Sequence, residues 1–272
     1  PAELRERARG NWHGDGYCAS GAIPVEIGVQ LRQDAPVDLE LPQSLTFAFY
    51  GLVAWVLSAM FAAFRILAGD RVGHALWMRG LMVAWLGLPA YLAVVGVFWD
   101  FEPKPPHLIR IVMPMGVAVI AFCFSPWGRE AARKLPISLL VGTQTFRLPL
   151  ELVLYSLSAR LVLPKEMTFA GYNFDIVTGM IALPLWWQVR RLAAPHWALW
   201  VFNVLGTLLL AVIVVVAVVS FPAPFGWYSP PNVVVAAYPW VWLPTFLVPA
   251  ALCGHLLLFR KLLLAEPVRD NV

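Results

Sequence analysis

The sequence predicts an all-α membrane protein: a seven-transmembrane-helix bundle preceded by a short extracytoplasmic N-terminal segment. Three observations carry this. The 272-residue chain is 60% hydrophobic and only 13% charged, against roughly a quarter charged in a soluble domain. Seven apolar runs are long enough to cross a bilayer. The basic residues between those runs collect on one side. The expected organisation is residues 1–43 as the extracytoplasmic segment, 44–264 as one bundle, and 265–272 as a cytoplasmic tail.

Taken in chain order, the N-terminal segment comes first. Val25, Ile27, Val29 and Leu31 alternate with Glu26, Gly28, Gln30 and Arg32; Val37, Leu39 and Leu41 alternate with Asp38 and Glu40. Gln33-Asp34-Ala35-Pro36 between them is turn chemistry, so a small β-hairpin with one apolar face is expected. An isolated hairpin is marginal in water, which would place it against the outer face of the bundle. A disordered tail is the competing reading. No charged leader followed by an apolar core and cleavage site opens the chain, so no secretory signal peptide is expected.

The spans are placed at 45–67, 75–99, 107–125, 137–162, 172–189, 197–221 and 236–259, the third and fifth being the shortest. One side of these runs carries Arg65, Arg71, Arg79, Arg129, Arg133, Lys134, Arg190, Arg191, Arg260, Lys261 and Arg269. The other carries Lys104, Arg110, Arg160 and Lys165, and the loop 221–235 has no charge. The first side is therefore expected to be cytoplasmic, with the N-terminus outside and the C-terminus inside. Arg5, Arg7 and Arg9 run against this, but they precede the first span by more than 30 residues, where the rule weakens. Trp99, Trp127, Trp186, Trp187, Trp197, Trp227 and Trp240 fall near span ends, where amphipathic rings favour the headgroup layer.

Inside the fourth span lies Arg147-Leu148-Pro149-Leu150-Glu151. Charges at membrane depth are costly and mark functional candidates. Arg147 and Glu151 are four residues apart, share a helix face and can pair. The fifth span opens with Asn173-Phe174-Asp175, and a short connector makes it an antiparallel neighbour. Glu151 lies about 21 Å into one helix, Asp175 about 18 Å above the inner surface in the other. Arg147, Glu151, Asn173 and Asp175 are thus expected to form one buried cluster, with Gln144, Thr143 and Thr145 extending its polar face. One arginine faces two carboxylates. Either Arg110 supplies a second cation, or one carboxylate holds a proton, because two buried like charges oppose each other. Pro149 leaves the Thr145 carbonyl without its helical donor and predicts a kink. Pro89, Pro114, Pro184, Pro244 and Pro249 place similar breaks in four other spans. Lys165 and Glu166 in the connector are expected to be solvated, with a gating role as the sharper alternative.

Other chemistries find less support. A retinal Schiff base needs a lysine within a span, and Lys104, Lys134, Lys165 and Lys261 all fall in loops or at span ends. Haem ligation needs histidines inside the bundle; His255 with His196 is the weak candidate pair, and a helix–helix hydrogen bond is the commoner role of such a histidine. Metal-ligand spacings, phosphate-binding glycine loops and nucleophile elbows do not occur. Cys123 and Cys253 read as buried packing thiols and Cys18 has no evident partner. Nothing points to nucleic acid.

Arg147-x-x-x-Glu151 followed by Met167-Thr168-Phe169-x-Gly171-x-Asn173-Phe174-Asp175-Ile176 resembles an uncharacterised family of bacterial multi-pass inner-membrane proteins. That family pairs an arginine–glutamate helix with an MTF-x-G-x-NFDI segment. The resemblance covers about thirty residues and implies an inner-membrane location but no activity. The functional expectation is small-solute or ion binding, or transport, through the Arg147, Glu151, Asn173 and Asp175 cluster. The alternative is a structural or accessory subunit of a larger membrane complex. An intramembrane enzyme and a seven-helix sensor rank lower. The expected partners are the lipid bilayer and other membrane subunits or further copies of the chain.

Overall fold

In the computed structural model, the described residues are 41–191, 194–222 and 226–264. The hairpin expected over residues 25–41, Cys18, Arg5, Arg7, Arg9 and the tail 265–272 lie essentially outside them. Regular structure among the described residues is entirely helical.

Six stretches are long and apolar enough to cross a membrane. Helix α1 (Gln43–Ala68), α2 (Val72–Val94) and α3 (His107–Phe124) are continuous. The fourth stretch, Ile137–Ser158, is broken: α5 (Ile137–Thr143) passes through a 3-10 turn at Gln144–Phe146 into α6 (Arg147–Ser158). The break lies one turn before Pro149, whose missing N–H leaves the Thr145 carbonyl without an α-helical donor. Helix α8 (His196–Ser220) is continuous. The last stretch opens with a π-helical turn at Leu243–Leu247 containing Pro244 and continues as α9 (Val248–Leu264). Between α3 and α5 lies a short surface helix, α4 (Pro126–Lys134).

The fifth expected span differs. Its helix, α7 (Ile176–Arg191), has 16 residues, about 24 Å of rise, less than a full hydrocarbon core of about 30 Å. The preceding backbone spends its hydrogen bonds on turns instead. Gly171 N and Asn173 N both donate to the Thr168 carbonyl, at 2.9 and 3.2 Å, and Tyr172 N donates to the Glu166 carbonyl. The Asn173 side-chain oxygen accepts from Asp175 N at 3.1 Å, the local competition with helix that asparagine favours. In place of the seven spans expected from run length, the described residues hold six long stretches plus one short helix.

Helices α5, α6 and α7 form an antiparallel pairing. Gly142 meets Trp186, and Gly179 lies against the backbone of Leu148 so closely that a Cβ would collide there. Helix α9 packs against α3, α4, α5 and α8, and α1 packs against α2, α5 and α6. The buried interior has two apolar clusters. One contains Leu140, Ala182, Phe202 and Leu258, the other Phe146, Leu150, Leu210 and Ala251. Between them on the same helices sit the buried polar residues Gln144, Arg147, Thr178, Asn203 and His255.

Tertiary hydrogen bonds lock the helix ends. Arg260 on α9 reaches the Cys123 carbonyl and, at 2.7 Å, the Ser125 carbonyl at the end of α3. Its neighbour Lys261 donates to the Ala132 and Arg133 carbonyls of α4 at 2.9 and 3.1 Å. Both cations therefore meet the negative ends of helix dipoles. Ser125 caps α4 by accepting from Gly128 N, with Pro126 at its first position. Two indoles pin α2 to the π-helical turn: Trp85 donates to the Thr245 carbonyl, and Trp242 donates to the Leu86 carbonyl, each at 2.9 Å.

Candidate functional site

The turn before α6 aims Arg147 into the space between α6, α7 and α8. Its side chain is 1% exposed, and its Nη1 donates to Asp175 Oδ1 at 2.8 Å and to the Gly206 carbonyl at 3.2 Å. Asp175 ends the connector that precedes α7 and also accepts from Thr178 Oγ1 at 3.1 Å. One turn along α6, Glu151 Oε1 accepts from Asn173 Nδ2, which also donates to the Met167 carbonyl at 3.1 Å. Arg147, Glu151, Asn173 and Asp175 are all buried and form one bonded patch between α6 and the connector that leads into α7.

The pairing differs from the expected one. Arg147 bonds Asp175 rather than its helix neighbour Glu151, and Glu151 takes Asn173. The connector turn explains this: it carries Asn173 and Asp175 to adjacent rungs of α6, and a tertiary carboxylate at contact distance displaces the i,i+4 pair. Three groups keep unused hydrogen-bonding capacity in this buried setting. Arg147 Nε and Nη2 and Glu151 Oε2 have no protein partner.

The cluster borders a cavity. Arg147, Glu151 and Asp175 line one part of a partly enclosed chamber of about 130 Å³. Its other walls are Leu108, Ile109 and Val112 of α3; Leu150 and Leu154 of α6; Leu210, Ile213, Val214, Ala217 and Val218 of α8; and Leu243, Pro244, Leu247, Val248 and Ala251 of the π-helical turn and α9. Asn232, from the loop after α8, adds a buried amide with its Oδ1 unpaired. Ile109, Val112 and Ala217 are half-buried, and Val214 and Val218 are exposed. The chamber thus reaches the outer surface of the helices between α3 and α8.

Several expected site residues lie elsewhere. Arg110 is exposed and donates to the Pro105 carbonyl at 2.9 Å, so the second cation expected from it is not at the cluster. Its position near the start of α3 points it outward. Gln144 bridges α5 to α9 by donating to the Ala251 carbonyl at 3.2 Å. Thr143 and Thr145 bond back to the carbonyls of Leu139 and Gly142 on their own segment. His255 is buried and its Nδ1 lies 2.7 Å from Asn203 Oδ1, while His196 is exposed and edges against Trp200. Asn203 is seven residues into α8 from His196, so His255, bonded to Asn203, lies about 10 Å from the level of His196 along the helix. Lys165 is exposed and Glu166 half-buried. Arg79 lies within α2, donates to the Phe61 carbonyl at 3.3 Å and sits over the Phe61 ring.

Sequence reasoning missed Thr178, Asn203, Gly206 and Asn232. A signal existed in α8, where Asn203, Gly206, Leu210 and Ile213 fall on one buried face. Polar and small residues at helical spacing mark close helix contact in membranes. A Cβ on Gly206 would collide with the His255 ring and Thr178. Its absence permits the approach that exposes the Gly206 carbonyl to Arg147.

A protein-family model described as "Domain of unknown function (DUF8737)" matches residues 106–263, from the start of α3 to the end of α9. No curated protein and no solved structure matches the chain.

Proposed function

The chain belongs to the DUF8737 family, and from the site itself we propose that it is a seven-crossing membrane protein that binds a small ligand in the chamber bordered by Arg147, Glu151 and Asp175. The observation that carries this reading is the position of the charges. They line a chamber of about 130 Å³ while Arg147 Nε and Nη2 and Glu151 Oε2 have no protein partner. Buried polar groups are normally paired, and clustered exceptions call for an explanation. A ligand head that bonds them is that explanation.

The seventh crossing is supported by the antiparallel contacts. Gly142 opposite Trp186 and Leu148 opposite Gly179 bring the end of α7 back beside the start of α5. If Ile137–Ser158 crosses the membrane, the connector and α7 together return across it. The loop charges support an extracytoplasmic connector and a cytoplasmic C-terminus; a bacterial inner membrane follows from the sequence resemblance. Two walls of the chamber contain broken helix, the turn before α6 and the π-helical turn before α9. Such breaks suit elements that move, so ligand binding coupled to transport is the function class placed first.

The test is a melting screen of the purified protein with a panel of soluble solutes and amphiphiles, in wild type and Ala217→Trp. Ala217 is a half-buried wall residue, and an indole there fills the chamber. Saturable stabilisation that Ala217→Trp abolishes supports the reading; stabilisation that is equal in both, or absent throughout, contradicts it. The structural-subunit alternative is favoured by one observation: Arg147–Asp175 and Glu151–Asn173 are already bonded to each other. A monodisperse monomer without a co-purifying subunit would count against it.

A further inference from the structure

The ligand class can be narrowed from the chemistry of the chamber, an inference that rests on the binding reading above. All but four of the lining residues are apolar; the exceptions are Arg147, Glu151, Asp175 and Asn232. A hydrophilic solute would lose its hydration against such walls without replacement hydrogen bonds, which disfavours its entry. The walls therefore select a ligand that is mostly hydrocarbon.

The opening points the same way. It lies between α3 and α8, each packed on α9, and its rim includes Val214 and Val218, 38% and 40% exposed. The two helices that flank the opening have apolar outer surfaces: Met113, Val117 and Ile120 on α3, and Leu208, Val212 and Val215 on α8 are all exposed. Such surfaces face lipid in a spanning helix. The rim is thus reached from the bilayer.

Size sets how the ligand sits. A volume of about 130 Å³ compares with about 150 Å³ for an engineered apolar cavity that holds one benzene molecule. A head group and its first few carbons fit inside; a whole acyl or isoprenoid chain does not. The remainder must leave through the opening and lie along α3 and α8 in the bilayer.

The head group is constrained by the charges that face it. Arg147 Nε and Nη2 and Glu151 Oε2 lie without protein partners just behind the chamber wall, the guanidinium nitrogens as donors and the carboxyl oxygen as an acceptor for a head group that seats against them. Asp175 already bonds Arg147 Nη1. A carboxylate or phosphate head would find the guanidinium but would stand beside two carboxyl groups. An ammonium head would find the carboxyl groups but would stand beside the guanidinium. A hydroxyl both accepts from Arg147 and donates to Glu151 without adding charge to either. We infer that the chamber binds a single-chain amphiphile with an uncharged hydroxyl head, admitted sideways from the bilayer between α3 and α8, its head on Arg147 and Glu151 and its chain trailing past Val214 and Val218.

The test uses the full chain in phosphatidylcholine nanodiscs with a dodecanol carrying a diazirine on its chain, and maps photolabelled peptides by mass spectrometry. Unlabelled dodecanol, dodecylammonium and dodecanoate serve as competitors. The expected result is saturable labelling on chamber residues of α3, α6 and α8, displaced by dodecanol at concentrations at least tenfold lower than by either charged analogue. Val214→Trp and, separately, Val218→Trp should each reduce this labelling at least tenfold. Leu81→Trp, on the exposed face of α2, should leave it unchanged, which controls for a general effect of surface tryptophan. Unsaturable labelling spread over the lipid-facing helices, indifference to both rim variants, or better competition by a charged analogue overturns the inference. If a water-soluble compound gives Ala217→Trp-sensitive stabilisation while dodecanol fails to label, the amphiphile inference falls and the binding reading stands. If neither occurs, both fall.

Discussion

Arg147 and Asp175 meet at 2.8 Å with both side chains almost fully removed from the surface. Removing one member of such a pair leaves the other charge buried alone, which is far more damaging than the pair is stabilising. Asp175→Ala is expected to lower stability by about 3–5 kcal/mol, read as a reduced midpoint in denaturant. Asn173→Ala takes away both the donor to Glu151 and the acceptor of Asp175 N; a loss of about 1–3 kcal/mol is expected from the unsatisfied groups. Glu151→Gln should be different. It keeps an oxygen for Asn173, so stability should change by less than about 1 kcal/mol, while ligand-induced stabilisation is lost or sharply weakened. Equal damage from all three substitutions would favour a purely structural cluster. The membership of this cluster was legible in the sequence because charges are rare in apolar runs. The pairing was not, because it depends on how the connector folds Asn173 and Asp175 against α6. Thr178 and the Gly206 carbonyl carry no charge to draw attention, and Arg110 drew it wrongly because charge balance says nothing about direction.

At the scale of elements, the positions of the spans were readable from run length, and their irregularities only in part. The 3-10 turn before α6 could be anticipated from Pro149, since the lost donor is local. A break at Pro244 was expected on the same ground, but its π-helical form and the shortening of α7 could not be, because each is held by partners distant in sequence or by side-chain bonds within a turn. Trp85 and Trp242 cross-brace α2 and the π-helical turn. Replacing either with phenylalanine should lower stability by about 1 kcal/mol, with hydrogen exchange rising locally around residues 243–247. Gly206 and Gly254 let α8 and α9 close on the polar layer; a Cβ on Gly254 would strike the Gln144 amide. Gly254→Val is therefore expected to cost about 1–3 kcal/mol through overpacking. On α4, Lys134 lies 2.7 Å from Glu130, and its hydrogen bond and charge hold that carboxyl below the ordinary carboxylate range. What the pair contributes is present above the unfolded carboxyl's titration and is lost as pH falls through the lower folded value. The contribution is small because both groups are exposed. In Lys134→Ala the Glu130 titration, followed by NMR, should move up toward the ordinary range.

For the whole molecule, the issue is whether the connector and α7 together make a crossing. Six helical stretches meet the length and apolarity needed to span, and α7 packs antiparallel on α5 and α6, the arrangement that a seventh crossing requires. Cysteine placed at Lys165 is expected to react with an impermeant thiol reagent from the outside only, and cysteine at Lys134 or Arg190 from the inside only. Reaction of Lys165→Cys and Arg190→Cys from one side would leave six crossings. The same packing gathers α3, α6, α8 and α9 around a chamber that run lengths and loop charges could not reveal, since its walls are assembled from residues more than a hundred positions apart. The account's central claim is that this chamber holds a ligand on the free atoms of Arg147 and Glu151. An electron cryo-microscopy map of the protein purified in its native lipids tests that most directly. The account predicts non-protein density within hydrogen-bond distance of Arg147 Nη2 and Glu151 Oε2, continuing past Val214 into the bilayer. A collapsed chamber, with those two groups bonded to each other or to neighbouring protein atoms, would contradict it.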